Sequence, residues 1–189
     1  MVVYGTLVWS TRELEIILMF LGQLGCEALN FLLKRLIKEE RPKEMFGNGY
    51  GMPSSHAQFV TYFSLSLSLF LLLRHHSPPG GGGVGIEIRV ALSGLALAGA
   101  ALVSWSRVYL NYHTPRQVLV GCVAGLVSAL LWFTATTFLR YVGLLGWALE
   151  SPVARLLRIR DLVINEDLCQ AGWEKWERGR MNGNKAKHS

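Results

Sequence analysis

Three short stretches of the chain set cations and imidazoles at the ends of apolar segments. Lys34 is followed after six residues by Arg41-Pro42, and Pro53-Ser54-Ser55-His56 opens a second apolar segment. Ser106-Arg107 is followed after five residues by His113. Ionisable groups at a membrane edge are costly unless they are used there. Guanidinium groups grip phosphate oxygens in pairs, so Arg41 and Arg107, with Lys34 as a point charge, suit a phosphate. An imidazole can attack phosphorus or carry a proton. Cleaving a phosphoanhydride needs neutralised charge, an in-line nucleophile and a proton for the leaving oxygen. In that scheme His113 attacks, while His56 first donates and then accepts a proton. The competing account makes the cations snorkelling residues and the histidines structural. Arg35 and Lys38 are assigned to it.

The apolar segments must position these groups. Leu14 to Leu36, Ala57 to Leu73, Ile86 to Trp105 and Pro115 to Leu139 are each close to the roughly 20 residues that cross a bilayer. The third is rich in Ala, Gly and Ser, which allows close helix packing in lipid. Met1 to Trp9 is too short to span, and is either the stub of a helix or a short interfacial piece. Pro42 ends the first helical pattern. Met45 to Met52 is expected to be a loop, and Arg74 to Glu87, with Pro78, Pro79 and Gly80 to Gly83, a flexible connector in which His75 and His76 are solvated. Tyr141 to Leu157 either lies in the interface or begins another helix. Arg158 to Ser189 is polar, basic and expected to be loosely ordered, with Trp173 and Trp176 as interfacial anchors.

The composition fits this architecture. Of 189 residues 51% are hydrophobic and only 17% charged, which suits a membrane protein. The net charge of +6 favours anionic lipid or an anionic substrate over nucleic acid, because long apolar segments carry most of the chain. Cys26, Cys122 and Cys169 are odd in number and scattered, with neither a disulfide framework nor metal-ligand spacing. No metal or other cofactor is therefore expected. No secretory signal pattern opens the chain.

Four alternating spans bring all three clusters to one membrane face. The opposite face receives Arg12, Arg74, Arg89, Arg140 and the basic tail, which places it in the cytosol by the positive-inside rule. Two helix starts at the clustered face carry capping signals, Ser55-x-x-Gln58 and Thr114-Pro115-x-Gln117. A helix start offers unpaired N–H groups and a partial positive charge, so the second span can hold a phosphate beside Ser54 and Ser55.

Lys34 to Arg41-Pro42, Pro53-Ser54-Ser55-His56 and Ser106-Arg107 to His113 resemble, in order, the three signatures of the type 2 phosphatidic acid phosphatase (PAP2) superfamily. The likeness covers roughly Arg12 to Leu139. The strings Tyr50-Gly51-Met52-Pro53-Ser54-Ser55-His56, Ser106-Arg107-Val108-Tyr109-Leu110 and Thr11-Arg12-Glu13-Leu14 are similar to dolichyldiphosphatases of the endoplasmic reticulum. The resemblance implies an all-α membrane bundle related to acid phosphatases and vanadium-dependent haloperoxidases. It also implies metal-independent removal of the terminal phosphate of dolichyl diphosphate on the lumenal side, through a phosphohistidine at His113 with His56 as general acid and base. Lys34, Arg41, Ser54, Ser55 and Arg107 would hold the phosphate. Such an activity recycles the lipid carrier of protein N-glycosylation.

Two departures from the family stand out. Members have a further span ahead of Leu14 where this chain has Met1 to Trp9, so residues 1–13 are expected to be a truncated first span. They also have Asp where this chain has Gln117. An Asp there would orient the imidazole and stabilise its cation. Gln117 can accept a hydrogen bond from the ring but brings no charge, and it also has a capping task. Another acid is a possible substitute. Glu27 and Asn30 precede Lys34 on one face of the first span and are expected to pair with it or to support the site. Residues 1–157 thus form the expected phosphatase domain and 158–189 a cytosolic tail. A broad lipid phosphate phosphatase and a non-catalytic lipid-binding protein are the alternatives.

Overall fold

The computed structural model describes residues 1–41, 49–76 and 84–187. Pro42, residues 45–48 of the expected Met45 to Met52 loop, and Pro78, Pro79 and Gly80 to Gly83 lie outside the described residues. Eight α-helices follow in order: α1 Val2–Thr11, α2 Leu14–Ile37, α3 Ser55–Leu69, α4 Ile86–Tyr109, α5 Pro115–Tyr141, α6 Leu144–Glu150, α7 Pro152–Leu157 and α8 Leu168–Lys187. A π-helical turn, Phe70–Arg74, prolongs α3. No strand forms among the described residues. The spans α2, α3 with its π turn, α4 and α5 are long and apolar enough to cross a membrane, so the protein is an all-α, multi-pass membrane bundle.

The surface and interior are arranged as lipid demands. Leu95, Leu102, Leu119 and Leu131 point outward and are more than 60% exposed, whereas Gln23, Asn30, Gln58, Ser64, Ser66 and Ser68 are buried. Polar side chains inside lipid must meet one another or backbone. Asn30 Nδ2 donates to Gln58 Oε1 at 2.7 Å, and Gln58 Nε2 donates to Cys26 O at 2.8 Å. These bonds join α2 to α3. At α3 and α5 the joint is closer still: a β-carbon on Gly121 would lie 2.6 Å from Ser54 O, and one on Gly125 2.5 Å from Gln58 O. Only glycine admits backbones at that separation, as in other small-residue contacts in membranes.

At the far end of the bundle, charges lock the elements together. The π turn carries the buried Arg74 inward, where it pairs with Glu15. Its guanidinium also donates to Phe133 O, Thr136 Oγ1 and Thr137 Oγ1. Arg140 pairs with Glu15 at 3.1 Å and with Asp161. Arg89 donates to Leu71 O at 2.5 Å and His75 O at 2.6 Å, satisfying carbonyls left at the end of α3.

Several expectations are corrected here. The described residues after Arg158 take up defined structure: Glu13 accepts from Leu162 N at 2.8 Å and Val163 N at 3.1 Å, and α8 follows. Asp167 Oδ1 caps α8 by accepting from Cys169 N and Gln170 N, and Trp173 packs on Trp176. Local caps and ring contacts supply order that a polar composition hides. His75 is buried with Nδ1 2.8 Å from Val163 O, so of the expected solvated pair only His76 is exposed. The Ser55-x-x-Gln58 box does not form. Ser54 is the N-cap without a side-chain cap bond, because Gln58 is already committed to Asn30 and Cys26.

The α3–α5 joint gives a direct test. Gly121→Val should overpack it, costing about 1–3 kcal/mol, a fall of several degrees in Tm. Gly94→Val, where nothing lies within 4 Å, should leave Tm unchanged. Thermal-shift measurements in detergent compare the two.

Candidate functional site

The site forms where α2 and α4 end and α3 and α5 begin. Pro115 at the first helical position and Thr114 at the cap start α5. The capping box is complete here: Gln117 N donates to Thr114 Oγ1 at 3.2 Å, and Thr114 N donates to Gln117 Oε1 at 3.3 Å. Ser54 N in turn donates to Gln117 O at 3.1 Å, so the start of α3 hangs directly on the first turn of α5. Tyr112 N and His113 N both donate to Arg107 O, at 3.0 and 3.2 Å, which folds the segment after α4 back on itself. That turn fixes the spacing between Arg107 and His113.

The three sequence clusters therefore meet. Lys34 Nζ donates to Ser55 Oγ at 3.4 Å, linking the end of α2 to the start of α3. Arg107, Lys34 and Arg41 all lie close enough to His56 for their charges to bear on it. Arg41 and Lys34 act likewise on His113. Arg107 is half-buried, with its guanidinium 5.1 Å from the Tyr112 ring centre and Nε donating to Ser106 Oγ. Ser54 is fully buried, and its Oγ and Arg41 Nε have no hydrogen-bond partner among the described residues. Unpartnered buried donors beside a helix N-terminus are suited to an anion.

His113 is buried, and its Nδ1 lies 3.1 Å from Gln117 Oε1. Burial, followed by the positive charges of Arg41 and Lys34, holds its pKa below the ordinary histidine value, with hydrogen bonding to Gln117 and the Gly51 backbone offsetting part of this. The ring is consequently neutral at pH 7, the form that can attack. His56 is exposed and borders a cleft of about 270 Å3 lined also by Glu27, Ser55 and Phe59. The two imidazoles thus differ in environment: one is buried and clamped, the other open beside a cleft.

The remaining candidates separate. Asn30 does not bond Lys34; it bonds Gln58 and supports α3 from one turn behind the site. Glu27 makes no contact-distance ion pair with Lys34, but the two charges act on each other, and Glu27 lines the His56 cleft. Arg35 turns away and lies 4.0 Å over the exposed Phe31 ring, while Lys38 is exposed at a left-handed helix end. Sequence reasoning missed Glu39. Its Oε1 accepts from Gln117 Nε2 at 2.9 Å, and Glu40 O accepts from the same nitrogen at 2.9 Å. The only signal was a pair of acids, Glu39-Glu40, inside an otherwise basic run. No group of His, Cys, Asp and Glu arranged to hold a metal occurs among the described residues.

Comparison with known proteins identifies the family. Residues 15–141 match the model of the PAP2 superfamily. A Neurospora crassa protein provisionally named a dolichyldiphosphatase is 47% identical over 95% of this chain and 82% of its own length. Dolichyldiphosphatase 1 of Callithrix jacchus is 45% identical over 70% of this chain, which spans 58% of that relative. Dolichyldiphosphatase 1 of Homo sapiens is 41% identical over 84% of this chain and 68% of its own length. No solved structure matches the chain significantly. The matched segment runs from the first span to the end of the last and contains every cation and imidazole of the site, and the chain belongs to the PAP2 superfamily.

Proposed function

We propose that this chain hydrolyses dolichyl diphosphate to dolichyl phosphate and inorganic phosphate, without a metal, through a phosphohistidine at His113. The observation that carries the reading is the meeting of Lys34, Arg41, Arg107, the start of α3 and two unlike imidazoles at one end of the bundle. The names of the similar proteins supply the lipid.

The geometry supports a two-step route. Lys34, Arg41 and Arg107 neutralise the terminal phosphate, while Ser54 Oγ and the N–H groups at the start of α3 hold its non-bridging oxygens. With Nδ1–H bonded to Gln117, Nε2 of His113 holds the lone pair and attacks phosphorus. The phosphoanhydride P–O bond breaks, and His56 protonates the departing dolichyl phosphate oxygen. His56 then takes a proton from a water that attacks the phosphohistidine, releasing phosphate and neutral His113. The cleft beside His56 and Phe59 gives the departing lipid phosphate room. By the charge bias of the loops the site faces the lumen of the endoplasmic reticulum and the C-terminus the cytosol, with 1–157 as phosphatase domain and 158–189 as tail. This serves reuse of the lipid carrier in N-glycosylation. The partners in this reading are the dolichyl lipid and the bilayer.

Phosphate release in detergent with EDTA tests the reading. Dolichyl diphosphate should be cleaved far faster than dolichyl phosphate or phosphatidate, and His113→Ala should lower kcat by about 10^3-fold or more. Equal rates on all three lipids would replace it by a broad lipid phosphate phosphatase. No cleavage of any lipid by the wild type would favour a non-catalytic lipid-binding role.

The charge environment gives a second test. Because the His113 pKa is depressed, kcat/KM should hold steady as pH falls through the ordinary histidine value of about 6.5 and decline only below it. Arg41→Gln removes one of the charges responsible, so its acid limb should move to higher pH. An unmoved limb would show that the titrating group lies outside the field of Arg41.

A further inference from the structure

The amide of Gln117 is oriented by its neighbours. Thr114 N–H can only donate, so the atom facing it at 3.3 Å must be the acceptor Oε1. The Glu39 carboxylate and the Glu40 carbonyl can only accept, so the atom 2.9 Å from each must be the donor Nε2. Flipping the amide would break all three contacts. Oε1 therefore faces His113, and Nδ1 of that ring must carry the proton to bond it at 3.1 Å. The result is a continuous chain from imidazole to amide to carboxylate.

Glu39 is held from both ends. Its own carbonyl accepts from Gly51 N at 2.7 Å, and Glu40 bridges to Tyr50. Gly51 packs so closely that a β-carbon there would lie 2.8 Å from both ends of the Gln117 amide. Gln117 itself is 1% exposed. Buried hydrogen-bond chains polarise one another, so a carboxylate on Nε2 makes Oε1 a stronger acceptor.

We propose that Glu39 is a positioning residue for the reaction: acting through Gln117, its carboxylate fixes the Nδ1–H form of His113 and offsets the positive charge that the ring gains on bonding to phosphorus. This rests on His113 being the nucleophile. The charged side chains that bear on the ring from the neighbouring elements are Arg41 and Lys34, at and just beyond the end of α2, and both are cationic. Glu39 is the carboxylate hydrogen-bonded into this chain, and it supplies the charge that Gln117 lacks.

An exchange of the two side chains tests the proposal. Glu39→Gln should lower kcat on dolichyl diphosphate with KM within about twofold. A directly bonded carboxylate contributes roughly 10^4-fold, so through an amide the loss should be about 10- to 100-fold. Removing the negative charge destabilises the imidazolium, so the acid limb of kcat/KM should move to lower pH. The double variant Glu39→Gln/Gln117→Glu keeps the bonds of residue 117 to residue 39 and to His113, gives up the one to Glu40 O, and puts the carboxylate directly against His113. It should recover part of the lost kcat and carry the limb above that of the wild type.

A Glu39→Gln protein with wild-type kcat and acid limb would overturn the proposal. So would a double variant whose limb stays at the wild-type position, since that would assign Glu39 a packing task only. Should Glu39→Gln prove unstable by thermal shift, the double variant decides alone. Retained activity in His113→Ala would instead remove the underlying nucleophile assignment, so the two failures are separable.

Discussion

At Gly121 and Gly125 the backbones of α3 and α5 approach so closely that no β-carbon fits between them. The site depends on this contact. It places Ser54 N against Gln117 O, and so sets the start of α3, the proposed phosphate holder, at a fixed distance from the residue that bonds His113. A looser joint would still present the same leucines to lipid. It would not hold two helix starts, separated by 60 residues of chain, in register to a fraction of an ångström. Small residues are the usual means to such proximity in lipid, where no hydrophobic effect drives helices together.

The remainder of the interior serves the same register. Because lipid is as apolar as leucine, the polar side chains carry the specificity of helix contacts. Asn30, Gln58 and Cys26 tie α2 to α3 one turn behind the site. At the other end Glu15, Arg74, Arg140 and Asp161 tie α2, the π turn, α5 and the segment before α8. A buried pair of this kind contributes little net stability against an apolar alternative, but breaking it is expensive. It therefore acts mainly to reject other packings. The bundle is pinned at both ends by polar contacts and slides at neither.

The spans were legible because bilayer thickness imposes length and apolarity directly on sequence, and all four appear within a few residues of where those demands place them. The Thr114 box was legible because both partners are local. The Ser55 box carried the same local signal and failed, since Gln58 finds long-range partners in Asn30 and Cys26. The order after Arg158 was hidden for the same reason: Glu13, some 150 positions away, supplies the acceptor. Glu39 was illegible in the strongest sense. It stands in a run of mixed charges that suggests a solvated helix end, and its partner Gln117 is 78 positions away. Local pattern carries type and span, while long-range pairing decides which of two plausible local tasks a polar residue performs.

That distinction bears on the missing family Asp. In the proposed route, the charges of Arg41 and Lys34 on His113 favour its neutral form, which helps attack but penalises the cationic phosphohistidine that would follow. A bound phosphate would cancel much of that positive field. Once phosphate had been transferred and the lipid had departed, the ring would keep its charge and lose part of that compensation. A carboxylate in direct contact would stabilise the intermediate strongly, at the risk of a ring protonated before substrate arrives. An amide between ring and carboxylate, as His113, Gln117 and Glu39 are bonded, would divide the effect: Nδ1–H is held, while the negative charge acts from a distance. Beside the cations proposed to bind the phosphate, this weaker coupling would orient the ring without cancelling their field.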